Sequence, residues 1–383
     1  MQLRDTPEEA RFRHRLRDWL ASTVPARDNE PLVPQTTDID TARRWAHALY
    51  EAGYAGLTWP REHGGQGLTL GYQAIYLEET ARAGAGEHVN VIGLGMVGPT
   101  LIAVGTPDQQ HAYLPRILTG ETLMCQGFSE PGAGSDLAAM ATRATPDGDE
   151  FVLDGQKVWS SYATVADECL LLARSAPDSS RHRGLTCFLL DLRTPGVTVR
   201  PQRQLTGEPG FGEIILDQVR VPATRVLGGA GNGWSVAMTT LAHERGTFGF
   251  TLTARLERQL RLLAATIRDA GLDRDPVVRD RLATLHVEAQ GLRWTSIRAL
   301  GDGHSPGPES TVLKLRWSEA NQRLTGLALD VLRDAADHPA AERWRSHWER
   351  EQLRSRANSI EGGSSEILRD IVAERILALP RSR

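Results

Sequence analysis

The stretch Cys125-Gln126-Gly127-Phe128-Ser129-Glu130-Pro131-Gly132-Ala133-Gly134-Ser135-Asp136-Leu137 divides a chain of 383 residues into two textures. Before it the apolar residues recur at helical spacing; after it they come in short β-rich runs broken by turn residues. Its glycines let backbone pass close to a flat ligand, and Ser129, Ser135 and free N–H groups can bond carbonyls or phosphates. On these residues alone two readings stand, a ligand-holding loop and a polar connection between domains.

Downstream, Pro146-Asp147-Gly148-Asp149 is a turn signal. Phe151-Val152-Leu153, Asp154-Gly155 and Lys157-Val158-Trp159 then read as strand, turn and strand. Residues 170–173, 185–192, 197–201 and 213–221 read as further strands with no helix between them, so a small barrel or sandwich is expected. Upstream, Thr6 with Glu9 forms a capping box, Pro7 suits a first turn, and Phe12, Leu16, Trp19 and Leu20 share a face. A second helix is expected near Asp40, with Trp45, Ala48 and Leu49 inward, and Thr106, Pro107 and Gln109 open another after Gly105. Beyond the glycine cluster at 228–233 helical spacing returns, through Val277, Leu282, Leu285, Leu292 and Ile297, and through Ile367, Ile371, Val372, Ile376 and Leu377. The fold class expected is α+β: a helical domain over 1–121, a β domain over 122–227 and a helical domain over 228–383. Gly301–Pro308 reads as a flexible surface loop.

Composition removes several function classes. Lys and Arg number 44 against 48 Asp and Glu, a net charge of -4, so no global field draws nucleic acid or an anionic membrane. Of those cations only Lys157 and Lys314 are lysines, a skew that reads as genome composition. Cys125, Cys169 and Cys187 are too few and too scattered for a zinc knuckle, a CxxC pair or a disulfide framework, so no metal and a reducing cytoplasm are expected. Met1–Leu20 is dense in charge without an apolar core, against a secretory signal. Val91–Gly105, the most apolar stretch, is shorter than the roughly 20 residues a membrane span needs. There is no GxxxxGKS/T loop and no GxGxxG after a strand. His243-Glu244 lacks a second zincin histidine, since position 247 is Thr.

The 125–137 stretch resembles the signature of the acyl-CoA dehydrogenase family, and Gly307-Pro308-Glu309-Ser310 followed by Lys314, Trp317-Ser318-Glu319 and Gln322-Arg323-Leu324 resembles a bacterial branch of it. The likeness continues, in the family's order, through Trp59-Pro60 with Gly64-Gly65-Gln66-Gly67, Gly105-Thr106 with Leu114-Pro115, Gly155-Gln156-Lys157-Val158-Trp159 and Ile360–Pro380. It implies a helical N-terminal domain, a middle β domain and a C-terminal four-helix bundle, with FAD as cofactor. It also implies oxidation of an acyl thioester to its trans-2-enoyl form, with acyl-CoA or an acyl carrier protein bringing the substrate. An electron-transfer flavoprotein or oxygen would take the electrons, and a homo- or hetero-oligomer is implied. Gln126, Phe128, Ser129, Trp159, Ser161 and Ser364 would contact the flavin, with Trp159 packed on the ring and Ser161 near N5; Ser135 and Arg245 would meet the substrate.

That chemistry needs a carboxylate to remove the α proton, and donors to hold the charge that develops on the thioester oxygen. Ser359-Ile360-Glu361-Gly362-Gly363-Ser364-Ser365 resembles the family's Glu-Gly-Thr. Counting back from Ile367 and Arg369, however, puts Gly362 at the glutamate position and Glu361 one residue early. Gly362 keeps its N–H as oxyanion donor. Some family members carry the base on a bundle helix just before an arginine, and Leu241-Ala242-His243-Glu244-Arg245 resembles that variant. Glu244 is therefore the preferred base and Glu361 the reserve.

The family's Arg and Phe-Gly motif is absent between Leu252 and Val278, and its glycine-rich, Gln-containing stretch is replaced by a polar Asp330–Gln352 with Trp344 and Trp348. These departures keep three alternatives open: a carrier-protein-tethered acyl oxidase, a flavin monooxygenase on the same fold, and a catalytically silent subunit of a heteromer.

Overall fold

The computed structural model describes residues 4–24, 38–85, 88–176, 179, 181–299 and 309–380, with the side chains of 244–248, 309 and 340 outside that description. The expected 301–308 loop lies outside the described residues. In chain order come α1 (Pro7–Thr23), α2 (Ile39–Glu51), α3 (Leu70–Ala83), α4 (Gly98–Val104) and α5 (Pro107–Thr119). Eight strands follow: β1 (Met124–Gly127), β2 (Arg143–Asp147), β3 (Glu150–Ser161), β4 (Glu168–Arg174), β5 (Leu185–Asp191), β6 (Val197–Gln202), β7 (Phe211–Pro222) and β8 (Val226–Leu227). The chain closes with α6 (Gly233–Asp269), α7 (Pro276–Ala299), α8 (Glu309–Asp334), α9 (Pro339–Ser355) and α10 (Ser365–Ile371).

Contacts group the chain into two compact units. One comprises Gln35–Gly67 and Gly86–Glu244; the other comprises Met1–Pro34, Leu68–Ala85 and Arg245–Arg383.

The first unit is built on one sheet in the order β6-β7-β3-β2-β4-β5-β8, with β1 pairing β4 in parallel. Strand β4 is apolar without a break from Cys169 to Ala173 because both of its faces are covered. Leu170 and Leu172 join the core that includes Leu101, Leu114 and Val236 from the helices, while Cys169, Leu171 and Ala173 join Leu153, Ile214 and Val219 on the other face. The capping box expected at Thr106 and Gln109 is present, and it starts α5. Trp59 lies so close to Gly98 that a Cβ there would sit 2.0 Å from the indole, and its Nε1 donates to the Leu94 carbonyl at 3.0 Å. The turn at Gly148 falls where the sequence puts it, between β2 and β3. The second turn, expected at Asp154-Gly155, does not form: β3 runs straight through and takes up a register shift against β7 between Leu153 and Gly155. Gly155 sits there at φ 149° because a Cβ would lie 2.7 Å from the Thr142 Cα.

In the second unit α1 opens with the expected Thr6/Glu9 box and buries Phe12, Leu16 and Leu20. It is joined to α3 by ion pairs: Arg13 and Arg17 both reach the buried Glu79, at 2.7 Å each. Helices α6 to α9 share a core from Leu252 to Trp348. On α7 the buried stripe is Leu285, Ala289, Leu292, Ser296 and Ala299, at helical spacing, which leaves Val277 outside it and exposed. Ile367, Ile376 and Leu377 are exposed as well, so the apolar periodicity of the last segment does not mark an interior face of this chain.

Candidate functional site

Loop 128–142 is fixed to β3 by a lysine and a glutamate. Lys157 is fully buried on β3, and its Nζ donates to Glu130 Oε1 at 2.6 Å and to the Phe128 carbonyl at 3.2 Å. Glu130 also accepts from the amides of Ala141 at 2.6 Å and Thr142 at 3.0 Å, so one carboxylate ties both ends of the loop. Burial opposes its ionisation, but the Lys157 charge and these donors outweigh that and hold the carboxyl below its ordinary value. The Val158 amide donates to the Ser129 carbonyl at 2.9 Å, which sets Ser129 beside the residue preceding Trp159.

Trp159 is the unusual residue of this unit. It lies at φ 58°, left-handed for a bulky side chain, within the register shift between Lys157 and Ser160. Its amide donates to Gln202 Oε1 at 3.1 Å, its ring meets Phe211 edge-on at 5.7 Å, and it is 54% exposed. A strained backbone that holds a large indole in the open is a feature of ligand sites. Next to it, Ser160 Oγ is buried without a hydrogen-bond partner among the described residues; the Gln126 Nε2 atom on β1 is in the same state. Phe128 is buried, Ser129 and Ser161 half-buried, and Ser135 exposed. The structure thus brings Gln126, Phe128, Ser129, Trp159 and Ser161 onto β1, its exit and the end of β3.

Glu361, Gly362 and Ser364 belong to the other unit. Glu361 is gripped by Arg354, whose Nη1 and Nη2 reach its two oxygens at 3.1 and 2.8 Å, and Asn358 Nδ2 adds a third donor at 2.9 Å. Both oxygens are therefore already used as acceptors. Gly362 and Gly363 follow at φ 60° and 98°, and Ser364 caps α10 by accepting from the Ile367 amide. Glu244 and Arg245 lie on α6, but their side chains fall outside the described residues. His243 is half-buried, and burial depresses its basicity.

Cys125, Cys169 and Cys187 are free and buried. A hydrogen bond that the Cys125 thiol donates to Cys169, then burial, raises Cys125, and burial raises Cys187, so neither suits a nucleophile. Among the described residues no cluster of His, Cys, Asp and Glu is arranged to hold a metal, and no helix is long and apolar enough to cross a membrane.

Sequence reasoning missed Glu130, Gln202 and the role of Lys157. The available signal was that Lys157 is one of only two lysines, placed two residues before Trp159. It also read Asp330–Gln352 as a polar departure. There α9 is amphipathic: Trp344 and Trp348 are fully buried, and their indole N–H groups donate to Asp269 at 3.0 Å and Thr266 at 2.9 Å.

Comparison with known proteins matches the whole of this architecture. Residues 6–121 match "Acyl-CoA dehydrogenase, N-terminal domain", 125–219 the "middle domain" and 231–377 the "C-terminal domain". The chain is 41% identical to "Acyl-CoA dehydrogenase IpdE1" of Mycobacterium tuberculosis over 387 aligned positions, covering 97% of each chain. Among solved structures it resembles "Tcur3481-Tcur3483 steroid ACAD", with a TM-score of 0.87 and 31% identity over 100% of both chains. It also resembles a chain of the "ChsE4-ChsE5 complex from Mycobacterium tuberculosis", with a TM-score of 0.84 and 30% identity over 100% of both.

Proposed function

Because this chain belongs to the acyl-CoA dehydrogenase family, we propose that this oxidoreductase is FAD-dependent and converts an acyl-CoA into its trans-2-enoyl thioester. The observation that carries the reading is the match of all three family domains, in order, from residue 6 to 377.

The residues present suit a flavin. A buried amide donor without a partner costs about 1–3 kcal/mol, and Gln126 Nε2 is such a donor on the strand that leads into the signature loop. The carbonyls and nitrogens of an isoalloxazine pyrimidine ring are acceptors of the required kind. Gln126, Phe128, Ser129 and Ser161 would hold the ring with Trp159 against it, and Ser364 would contribute a hydroxyl. FAD, when bound, takes the β-hydride at N5.

The remaining steps belong to the chain. Glu244 removes the α proton, a role for which it must meet substrate in a water-poor pocket. Glu361 is the reserve base, although Arg354 and Asn358 occupy its oxygens. The Gly362 amide holds the thioester oxygen as charge develops there. Ser135 and Arg245 bind the CoA ester. Relatives described as a steroid ACAD favour a bulky, steroid-derived acyl group over a straight fatty chain, and an oligomer with a homologous chain is the working form. An electron-transfer flavoprotein is the electron acceptor.

The test is anaerobic titration of the purified flavoprotein with a panel of acyl-CoAs while flavin absorbance is followed. Bleaching by a steroid side-chain or ring-derived acyl-CoA supports the reading. A flavin that none of them bleaches, or a chain that retains no flavin, overturns it.

A further inference from the structure

The second of the two lysines is also buried, and it grips the segment that carries Glu361 and Gly362. Lys314 lies on α8, and its Nζ donates to the carbonyls of Asn358 at 2.7 Å and Gly363 at 2.8 Å, closing a short arc of chain from both ends. It heads a row of polar side chains spaced along one face of α8. Ser318 Oγ donates to the Asn358 carbonyl at 2.7 Å, and Asn321 Nδ2 to Asn358 Oδ1 at 2.8 Å. At the next residue, Gln322 Nε2 donates to the Ser355 carbonyl at 3.0 Å. Lys314, Ser318 and Asn321 are buried.

A buried polar row along a helix in an apolar bundle costs desolvation and is retained only where its bonds are complete. Here the row bonds the backbone and side chains of 355–363 in preference to apolar packing. The segment needs such support. Gly362 and Gly363 sit consecutively at φ 60° and 98°, and two glycines have the greatest conformational freedom to lose. Besides the Lys314 bond to Gly363, the arc is held through Asn358, whose Nδ2 also orients Glu361, through the Arg354 ion pair to Glu361, and by Gln322 Nε2 on Ser359 Oγ at 3.4 Å.

We propose that Lys314 is a positioning residue for the dehydrogenation: by holding the Asn358 and Gly363 carbonyls it fixes the direction of the Gly362 amide that stabilises the thioester oxygen. The proposal rests on the role given to Gly362 above. An ammonium suits the task because it satisfies two carbonyls from different directions with charge-assisted bonds, whereas a planar guanidinium presents its donors in a fixed fork.

The experiment compares wild type with Lys314→Met and Lys314→Arg as flavin-loaded enzyme. Two readouts are used, steady-state kinetics and the ionisation of a bound 3-oxoacyl-CoA. That compound forms its enolate without turning over, so the pH of half-ionisation reports how well the oxyanion is held. Lys314→Met is expected to lose about 100-fold in kcat, the scale of one oxyanion donor, with KM within about threefold of wild type and flavin retained. Half-ionisation of the probe moves up by about two pH units, the same factor. Lys314→Arg falls between.

Wild-type kcat and probe ionisation in Lys314→Met overturn the proposal. So does a loss in which kcat and flavin content fall and KM rises together with a drop in melting temperature, the signature of a purely structural lysine. If Lys314→Met does not fold, Ser318→Ala decides, since it removes a second donor from the Asn358 carbonyl: a drop of about tenfold in kcat at unchanged KM supports the proposal, and an unchanged kcat overturns it. A wild type that neither bleaches with any acyl-CoA nor ionises the probe overturns the dehydrogenase reading itself. A wild type that does both, beside an unaltered Lys314→Met, overturns only the positioning role.

Discussion

Lys157 Nζ and Glu130 Oε1 stand 2.6 Å apart in the interior of the sheet unit, with the lysine fully buried and the glutamate nearly so. An isolated ammonium at that depth would carry a prohibitive desolvation cost. The pair is kept because it makes five bonds at once: the mutual contact, the Phe128 carbonyl, the Ala141 and Thr142 amides, and a weak contact to Met140 Sδ at 4.0 Å. It converts a glycine-rich loop into a fixed shelf beside Trp159.

Removing one partner is expected to cost more than removing both. Glu130→Gln strands a buried cation and should destabilise the fold by about 3–5 kcal/mol, while Lys157→Met with Glu130→Leu should recover much of that in stability and still lose flavin affinity. Urea unfolding and flavin content measure the two effects separately. The sign with pH follows from the depressed Glu130 carboxyl. Its contribution is complete above the ordinary glutamate value near 4.5 and is lost as pH falls through the lower folded value. Acid unfolding should therefore begin at higher pH in Glu130→Gln.

His88 and His347 set a second pH dependence, at milder acidity. Burial pushes each down to about 4 from the usual 6.5. Above pH 6.5 both are neutral folded or unfolded, so stability is flat. Between 6.5 and 4 the unfolded chain takes up a proton that the folded chain refuses, and stability falls as pH drops, by up to about 3 kcal/mol for each histidine. His88→Gln keeps an acceptor for the Asn90 amide, now 3.0 Å from His88 Nδ1, and removes the titration. Its denaturation midpoint should change less between pH 7 and 5 than that of wild type; an identical slope would show that His88 does not titrate on unfolding.

How much of this was legible depends on the range of the interaction. Helix starts were, because a capping box spans four residues and Thr6/Glu9 and Thr106/Gln109 carry it in full. The Asp154-Gly155 turn was misread because a glycine needed for a close approach to Thr142 looks, in one dimension, like a glycine needed for a reversal. Trp344 and Trp348 looked like a polar segment's exceptions because the charges around them hide a buried face that only the bundle reveals. The two lysines were read only as composition for a different reason. Their partners, Glu130 and the Asn358 and Gly363 carbonyls, lie 27 to 49 residues away, a separation that no local pattern encodes.

The left-handed backbone at Trp159 is a cost carried for placing the indole. Trp159→Gly removes a left-handed strain of about 1–2 kcal/mol and loses the edge contact to Phe211, effects of opposite sign. The variant should melt within a few degrees of wild type, on the order of a 1 kcal/mol change, yet retain much less flavin after gel filtration. Full flavin retention would sever the indole from cofactor binding.

The identity of the base is decided by comparing two conservative variants in the same assay. Glu361 is held by Arg354 at 2.8 and 3.1 Å and by Asn358 at 2.9 Å, so in Glu361→Gln the amide is expected to keep part of this network, weaken the grip of Arg354 and reduce turnover only modestly. On the role proposed for Glu244, Glu244→Gln removes the general base and should slow flavin reduction by about 10²–10⁴-fold while flavin content and acyl-CoA binding persist. Rapid mixing with the acyl-CoA that bleaches wild type reads the reductive step directly, free of the reoxidation that follows. The reverse ranking, an inert Glu361→Gln beside a competent Glu244→Gln, would transfer the base to Glu361. The Arg354 contact would then have to open whenever substrate binds, and Arg354→Ala would speed the reductive step.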